Sequence, residues 1–274
     1  MLSEDKLEYI KKLQHKMDGL KSVFIDKYAQ SIKIDGNQIK QRMEQGRALI
    51  DKSKMKIDKK LLEELSVDFW QALKDFTNSD GDSYETKIDI EKVTRLILAD
   101  DIEGSKSLAH KVNINDWVLL FLGLNLAQAL MGAYAYKLRG KVSDSWLKGF
   151  CPVCGGAPYM ERFTKKDDGK RILTCQFCGT EWVHRRIMCP FCENDDHNSL
   201  RYFFVEKDSP YRVDVCDRCK KYIKGIDERK MSEGKAADLS IENISTLYLD
   251  VLAQKDGYQN PTFWMTGFTE RELV

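Results

Sequence analysis

The hydrophobic positions in the first half of the chain recur at the spacing of α-helices. In the stretch KKLLEELSVDFWQAL, Leu61, Leu65 and Phe69 return on one face, and Asp58 precedes the stretch as a helix-capping residue. Residues 1–149 contain no proline and are rich in Leu, Lys, Glu and Ile, a composition typical of helices. The pattern predicts helices near 4–17, 20–32, 37–53, 58–78, 86–100, 105–111 and 114–139, and a turn at 78–82, where the sequence reads NSDGD.

The last of these predicted helices is apolar over most of its length. No charged side chain occurs between Trp117 and Tyr136, a length that would span a bilayer. Asn125 and Gln128 interrupt the stretch, and an isolated membrane span with two amides is unfavourable in lipid. A helix that is buried on all sides within a bundle gives the same pattern. We therefore predict a central core helix and no membrane partner.

Beyond residue 149 the pattern changes from helical spacing to alternation. All five prolines lie in this part of the chain. Two segments alternate apolar and polar residues around turn sequences, which is typical of β-hairpins. In the first, APYMERFT and KRILT flank KKDDG, and in the second, LRYFFVEK and YRVDV flank DSP.

The candidate chemistry lies in the same region, because all eight cysteines belong to four CxxC pairs within it. A CxxC turn directs two sulfurs at one centre, and two such turns make a tetrahedral four-sulfur cage that suits Zn or Fe. Eight thiols supply two complete sites, so we predict two metal ions per chain, Fe or Zn. The predicted ligands are Cys151, Cys154, Cys175, Cys178, Cys189, Cys192, Cys216 and Cys219.

Other uses of these cysteines fit the sequence less well. A disulfide framework is typical of short secreted domains with a signal peptide, whereas the N-terminal sequence MLSEDKLEYIKKLQHK is charged and has no apolar core. A thioredoxin-like dithiol needs one CxxC and not four. His184 and His197 lie near CxxC pairs, but eight thiolates already fill two tetrahedra, so we expect neither histidine to bind metal.

The spacing of the pairs favours one grouping over the others. Each predicted hairpin leaves one CxxC pair and returns to the next at the same end, so Cys151, Cys154, Cys175 and Cys178 are expected to form one site. The other four cysteines then form the second site, although sequence alone also leaves an interleaved grouping open. Gly155 follows the first hairpin's opening CxxC pair, and Gly179 follows its closing pair, where positive φ lets N–H groups face the sulfurs. Glu193 and Lys220 hold those places in the second hairpin, so a less regular site is expected there.

These elements predict an α+β fold. It comprises an all-helical N-terminal domain, two tandem rubredoxin-like or zinc-ribbon modules and a C-terminal helix. The predicted boundaries are 1–149 for the helical domain, 150–186 for the first ribbon, 187–230 for the second ribbon and 231–274 for the C-terminal helix and tail.

Charge and motif content argue against two classes of function, nucleic-acid binding and catalysis. Residues 151–230 hold 16 basic and 13 acidic side chains, and two divalent four-thiolate sites bring this region to a slightly negative charge. That balance argues against nucleic acid as a partner, although aromatic residues could stack on bases. We find no catalytic constellation, and closed four-sulfur sites leave no open metal position, so no enzyme activity is predicted. A rubredoxin-like redox protein stays an alternative. The candidate stacking residues are Tyr159, Phe177, Trp182, Phe191 and Tyr202.

The order of the motifs resembles that of a known family. CPVCGGAP at 151–158, LTCQFCGTEW at 173–182 and IMCPFCEN at 187–194 are similar to the FdhE family of formate dehydrogenase accessory proteins. The segment at 238–261, with LDVLAQKDGY, is similar to the closing helix of that family.

The resemblance implies a non-catalytic, cytoplasmic maturation factor or chaperone. Its partner would be the catalytic subunit of a respiratory molybdenum- or tungsten-dependent formate dehydrogenase, bound before export. The resemblance also implies iron in rubredoxin-like sites, with zinc as the other metal that fits. A zinc-ribbon nucleic-acid-binding protein is the alternative function.

Overall fold

The computed structural model describes residues 3–77, 88–143, 145–166, 169–232 and 237–262. The first half of these residues is helical, as the hydrophobic spacing predicts. Its helices are α1 (Glu4–Ala29), α2 (Gly36–Glu44), α3 (Lys59–Thr77), α4 (Ile90–Leu98), α5 (Ile102–Val112) and α6 (Asp116–Lys137). The predicted turn at 78–82 and the start of the helix predicted from residue 86 lie outside the described residues.

Helix α1 is longer than the sequence pattern predicts. The two helices expected at 4–17 and 20–32 are one continuous helix, in which Gly19 is an interior residue. A glycine inside a helix costs about 1 kcal/mol relative to alanine. Met17 and Phe24, on either side of it, are buried in the bundle, and burying two large apolar side chains stabilises the helix by more than that cost.

Helix α2 is shorter than the pattern predicts. It ends at Glu44, whereas the pattern predicts helix to residue 53. Gly46 adopts a left-handed conformation, with φ of +62°, which ends the helix. Residues 47–51 are irregular, and a single 3₁₀ turn follows at Lys52–Lys54. Because residues 47–51 are not helical, their backbone groups are available to hydrogen-bond with the first CxxC turn.

Helix α6 is the central helix of the bundle and packs against α1, α3, α4 and α5. Asn115 caps its start by accepting a hydrogen bond from the Trp117 backbone N–H at 2.9 Å. Leu122, Leu126 and Leu130 are fully buried, as predicted for a core helix. Among the described residues, α6 is the one helix long and apolar enough to cross a membrane, and 61% of its most apolar window is buried inside the protein.

The second half of the chain forms one six-stranded sheet. The first ribbon contributes β1 (Pro158–Phe163), β2 (Arg171–Cys175) and β3 (Glu181–Val183), and the second contributes β4 (Leu200–Phe203), β5 (Tyr211–Cys216) and β6 (Lys221–Asp227). The strand order is β3-β2-β1-β6-β5-β4. Both predicted hairpins are present, and a parallel pairing of β1 with β6 joins the two ribbons. The boundaries given above for separate ribbon domains stay a prediction.

Two short helices follow the sheet, α7 (Leu239–Ser245) and α8 (Leu247–Lys255), where the sequence predicts one helix. Helix α8 packs against β5 and β6. There the buried Lys224 ammonium lies 2.5 Å from the Asp250 carboxylate, and the Tyr222 hydroxyl donates to the same carboxylate at 2.7 Å. Asp250 of the LDVLA motif therefore holds the closing helix on the sheet. The fold is mixed helix and sheet, as predicted, with helices before and after the sheet.

The two ribbons contribute unequally to the main hydrophobic core. The main core runs from the helical bundle into the first ribbon and includes Cys151, Phe177 and Trp182. Among the described residues, the second ribbon contributes only Ile223 to that core, with Phe191 packed against it, and other apolar residues form smaller clusters, such as that of Val213 and Val215 with α8. The first ribbon thus shares more of the main core than the second does.

Candidate metal centres

The first group of sulfurs lies where the helical bundle meets the first ribbon. The Sγ atoms of Cys151, Cys154, Cys175 and Cys178 all lie within 4.8 Å of one another. Cys151 Sγ is 3.5 Å from Cys178 Sγ, and Cys154 Sγ is 3.3 Å from Cys175 Sγ. All four residues are buried. This is the grouping that the hairpin argument predicts, and not the interleaved one.

Tight turns aim these sulfurs inward. Gly155 and Gly179, which follow the two CxxC pairs, have φ of +74° and +64°. Each donates its N–H to the carbonyl of the first cysteine of its pair, at 2.9 and 3.2 Å. The Phe177 N–H then faces Cys175 Sγ at 3.4 Å. Backbone N–H groups directed at the sulfurs are the arrangement that stabilises metal-bound thiolates.

The helical half holds the first turn through main-chain hydrogen bonds. Leu49 N–H donates to the Pro152 carbonyl at 2.8 Å, and Ile50 N–H donates to the Val153 carbonyl at 2.9 Å. Arg42 of α2 supports this segment by donating to the Ile50 carbonyl at 3.3 Å. The early end of α2 therefore has a consequence for the site, because the irregular residues after it pair with the first CxxC turn.

The second group of sulfurs lies within the second ribbon and is more open. Its members are also within 4.8 Å of one another, with 3.7 Å between Cys189 and Cys219 Sγ and 3.7 Å between Cys192 and Cys216 Sγ. Cys192 and Cys219 are partly exposed. The linker before the first ribbon lies against this group, because a Cβ atom added to Gly149 would be 1.8 Å from the Pro190 carbonyl oxygen.

The second group has the same turn geometry as the first, contrary to the expectation of a less regular site. Glu193 and Lys220 adopt φ of +56° and +54°, the left-handed conformation of the two glycines in the first group. Their N–H groups donate to the Cys189 and Cys216 carbonyls at 3.0 and 2.9 Å. The CxxC turn imposes this conformation even where a side chain is present, at a strain of about 1–2 kcal/mol for each residue.

Both groups suit a metal held by four sulfurs. A tetrahedral ion with metal–sulfur bonds of about 2.3 Å has sulfur–sulfur separations near 3.8 Å, close to the measured 3.7 Å of the second group. The sulfur separations are too long for disulfides, whose bond length is about 2.05 Å. Burial raises the pKa of the Cys175 thiol and of the Cys189 thiol. A bound cation would offset this cost of burying thiolates, so the groups can hold two metal ions.

Neither candidate histidine joins the sulfur groups. His184 is buried, and its Nδ1 lies 3.1 Å from the Arg185 carbonyl oxygen. Burial, assisted by the nearby Arg171 guanidinium, lowers the pKa of His184 to about 4. His197 is exposed. Within the described residues, the two candidate groups contain cysteines alone.

The aromatic residues proposed as base-stacking candidates are mostly enclosed. Phe177 and Trp182 belong to the main core. Tyr159 and Phe191 are partly buried against hydrophobic clusters. Tyr202 is exposed, and the Arg212 guanidinium covers its ring at 4.0 Å from the centroid. These side chains therefore do not form an open stacking surface.

A buried charged junction connects the two ribbons, and the sequence pattern did not reveal it. Arg171 of β2 pairs with Glu161 of β1 at 2.5 Å, and both side chains are almost fully buried. Burial raises the pKa of Glu161, while Arg171 opposes that shift. Arg171 also donates to the Met188 carbonyl at 2.7 Å, one residue before Cys189. The only sequence signal was a charged residue at an inward-facing position of each strand.

Comparisons with known proteins agree with the motif order. Residues 150–186, which contain the first sulfur group, match the family model described as FdhE, central domain. A protein FdhE homologue of Aquifex aeolicus is 33% identical over 53% of this chain and 50% of its own length. A homologue of Pseudomonas aeruginosa is 31% identical over 48% of this chain and 45% of its own length. The chain thus aligns with about half the length of these curated relatives.

The fold is also shared with a solved structure. The crystal structure of the FdhE protein from Pseudomonas aeruginosa superposes with a TM-score of 0.57 and 18% identity, covering 93% of this chain and 91% of that chain. At this identity the likeness concerns the fold alone. The chain is therefore similar to FdhE proteins in its central domain, along about half of the curated relatives' length and in its fold.

Proposed function

We propose that the protein is a formate dehydrogenase accessory factor. In this proposal it binds the catalytic subunit of a respiratory molybdenum- or tungsten-dependent formate dehydrogenase in the cytoplasm, before that subunit is exported. The observation that carries the proposal is the match to the FdhE central domain over residues 150–186, which contain the first sulfur group. The motif order and the curated FdhE relatives support the same family.

The proposal includes two metal ions per chain, Fe or Zn, each bound by four cysteine sulfurs. Cys151, Cys154, Cys175 and Cys178 would hold one ion, and the other four cysteines would hold the second. Four thiolates complete a tetrahedral site, so a bound ion would have no open position for substrate. We therefore assign the ions a structural role and expect no formate turnover by this chain.

The geometry supports a binding function in which the metal shapes a surface. The first CxxC turn pairs with residues 49 and 50 of the helical half, so a metal ion there would fix the ribbon against the bundle. The loops between the cysteines would keep one conformation while the ion is bound. Docking of a folded partner on such a preformed surface avoids the entropic cost of ordering those loops.

The test combines a deletion with a binding assay. Deleting the gene is expected to abolish formate-dependent respiration while transcription of the formate dehydrogenase stays unchanged. The full chain, purified without oxygen, is expected to retain the catalytic subunit, and Cys154→Ser is expected to retain less of it.

The nucleic-acid alternative predicts a different result in the same assay. Binding through phosphate contacts weakens steeply with salt, whereas we expect little salt dependence. Recovery of nucleic acid with a strong salt slope, and no formate dehydrogenase, would reject the proposed function in favour of a zinc-ribbon nucleic-acid-binding protein.

A further inference from the structure

The residue five positions after the first cysteine of a CxxC pair lies against the sulfurs in three of the turns. These residues are Gly156, Thr180 and Asn194. The carbonyl of each accepts a hydrogen bond from the N–H of the first cysteine of its turn, at 2.9, 2.9 and 2.8 Å respectively. The same backbone arrangement therefore fixes this position in all three turns, and the side chain there is what differs between them.

The first turn shows how closely this position faces the sulfurs. A Cβ atom added to Gly156 would lie 3.1 Å from Cys175 Sγ and 3.3 Å from Cys154 Sγ. The Gly156 backbone N–H donates to Cys154 Sγ at 3.4 Å. A side chain at Gly156 would therefore displace the sulfurs, whereas the other two turns carry a polar side chain at the same position.

The second turn of the first group carries a hydroxyl at this position. Thr180 is partly buried, and its Oγ1 lies 3.1 Å from Cys178 Sγ. A free thiol can donate its proton to this hydroxyl, but a metal-bound thiolate has no proton to donate. With an ion bound, the Thr180 hydroxyl must be the donor, and the sulfur then accepts a charge-assisted hydrogen bond.

The first turn of the second group carries an amide at this position. Asn194 is 5% exposed, and its Nδ2 lies 2.7 Å from Ser199 Oγ and 3.7 Å from Cys216 Sγ. The Ser199 hydroxyl donates its proton to the Asp196 carbonyl at 3.0 Å, so its oxygen is left as an acceptor and the amide nitrogen must face it. That nitrogen directs its other hydrogen at Cys216 Sγ, which belongs to the opposite turn of the group.

We propose that Thr180 and Asn194 are positioning residues that set the metal affinity and the reduction potential of the two sulfur groups, one residue for each group. Hydrogen bonds to ligand sulfurs stabilise metal-bound thiolates. With iron they favour the reduced ion, because its four-thiolate complex carries one more negative charge than the oxidised complex. The inference rests on the part of the proposed function that assigns an ion to each group, and it does not depend on the client.

The test uses the full chain, purified without oxygen and loaded in turn with zinc and with iron. Thr180→Val removes the hydroxyl and keeps the shape, whereas Thr180→Ser keeps the hydroxyl and removes a methyl group. Asn194→Leu removes the amide at similar volume. Asn198→Leu is its matched control, because Asn198 is exposed and donates its Nδ2 to the Asp196 carboxylate.

Two measurements compare the variants. Chelator competition gives the zinc affinity, with alkylation mapping to assign each ion to its cysteines, and a redox titration followed by the iron–thiolate absorption gives the reduction potential. Thr180→Val is expected to lower the zinc affinity of the first group about 10- to 100-fold, and Asn194→Leu that of the second group by a similar factor. Each is expected to lower the reduction potential of one iron ion of the two. Thr180→Ser and Asn198→Leu are expected to match the wild type.

The outcomes separate this proposal from the metal sites on which it rests. If the wild type binds two ions, and Thr180→Val and Asn194→Leu equal it in affinity and potential, the donor role is rejected and the metal sites stand. Equal losses in Thr180→Val and Thr180→Ser would also reject it, because packing would then be the cause. The Thr180 pair decides the result if Asn194→Leu does not fold. A wild-type chain that binds neither metal would reject the metal sites and this proposal together.

Discussion

The two ribbons carry the same sulfur chemistry on very different supports. Each presents four cysteines on two CxxC turns, and the residue after each turn is left-handed in both. The four cysteines of the first group belong to the main core, and its first turn pairs with backbone groups of residues 49 and 50. The cysteines of the second group lie outside that core, although Phe191 of its first turn packs against it, and two of them are partly exposed. Two metal sites with the same four-cysteine ligands can therefore differ in how much of the surrounding fold depends on the bound ion.

The ribbons are nevertheless not independent. The parallel pairing of β1 with β6 makes them neighbours in one sheet, and Arg171 connects the β1–β2 hairpin to the main chain just before Cys189. We expect disturbance at the first group to spread through the helical half, whereas disturbance at the second group stays within the second ribbon. The predictions below test that difference, beginning with the largest effect.

Removing one ligand from each group should give the largest contrast. Metal binding supplies on the order of 10 kcal/mol to the folding of small four-ligand zinc peptides. Cys154→Ser should therefore lose the first ion and loosen both the Cys175–Cys178 turn and the adjacent bundle. Cys192→Ser should lose the second ion and leave the bundle intact. Hydrogen exchange of α1 and α6, with alkylation mapping of the remaining cysteines, measures the difference.

Equal exchange of the helices in the two serine variants would contradict the unequal support of the ribbons. Increased labelling of Cys216 in place of Cys175 in Cys154→Ser would indicate an interleaved grouping.

Breaking the charged junction should have the next largest effect. Arg171→Met leaves Glu161 buried without its partner and removes the donor to the Met188 carbonyl, so we expect a loss of about 3–5 kcal/mol in the free energy of unfolding. Arg201→Met is the control. Arg201 also pairs with a carboxylate, Asp217, but it is 62% exposed, and such exposed pairs contribute little to the free energy of unfolding.

Chemical denaturation of both arginine variants measures the contrast. A similar loss in the free energy of unfolding of the two variants would show that the buried junction stabilises the fold no more than an exposed ion pair does.

Acid should weaken the region between the ribbons through His184. Burial lowers its pKa to about 4, below the ordinary value of about 6.5. Between these values the unfolded chain binds the proton and the folded chain does not, so stability is complete above pH 6.5 and falls as the pH decreases towards 4. The full effect is about 3 kcal/mol.

The measurement is the difference in pH dependence of unfolding between the wild type and His184→Gln. Subtracting the two profiles removes the effect of thiolate protonation, which both proteins share. The variant should lack the histidine part of the slope, and His197→Gln, at an exposed position, should resemble the wild type. Parallel wild-type and His184→Gln profiles would show that His184 is not held neutral by burial.

The smallest effect concerns the residue after each CxxC turn. Glu193 is strained by its positive φ, so Glu193→Gly should stabilise the second ribbon by about 0.5–1 kcal/mol after the entropic cost of glycine is subtracted. Gly179→Ala is the inverse experiment. An added Cβ there would meet no atom within 4 Å, so its effect reports the backbone strain alone and should be destabilising. If Glu193→Gly lowered the free energy of unfolding and Gly179→Ala raised it, the shared turn geometry would be contradicted.

Local patterns predicted the elements of this fold better than their connections. The CxxC spacing and the hairpin turns predicted the grouping of the sulfurs, because both depend on residues close in sequence. The continuous helix through Gly19 depends on burial against α6, and the pairing of β1 with β6 joins strands about 60 residues apart. Neither follows from periodicity within a short window.

The buried polar contacts were the least predictable features of the candidate site. Lys21 occupies an ordinary helical position in the sequence, and only the packing of α1, α6 and the first ribbon encloses it. The same applies to Lys224 and Asp250, which meet across β6 and α8. Sequence periodicity assigns such residues to a surface, whereas the tertiary contacts decide that they are buried.

Metal release from the anaerobically purified chain tests the central claim most directly. Native mass spectrometry during chelator treatment, with alkylation mapping at each time, should begin with two ions per chain. The ion held by Cys189, Cys192, Cys216 and Cys219 should leave first, because two of these cysteines are partly exposed. The ion held by the buried group should persist until the helical half unfolds. A single ion at the start, or earlier loss from Cys151, Cys154, Cys175 and Cys178, would contradict the account.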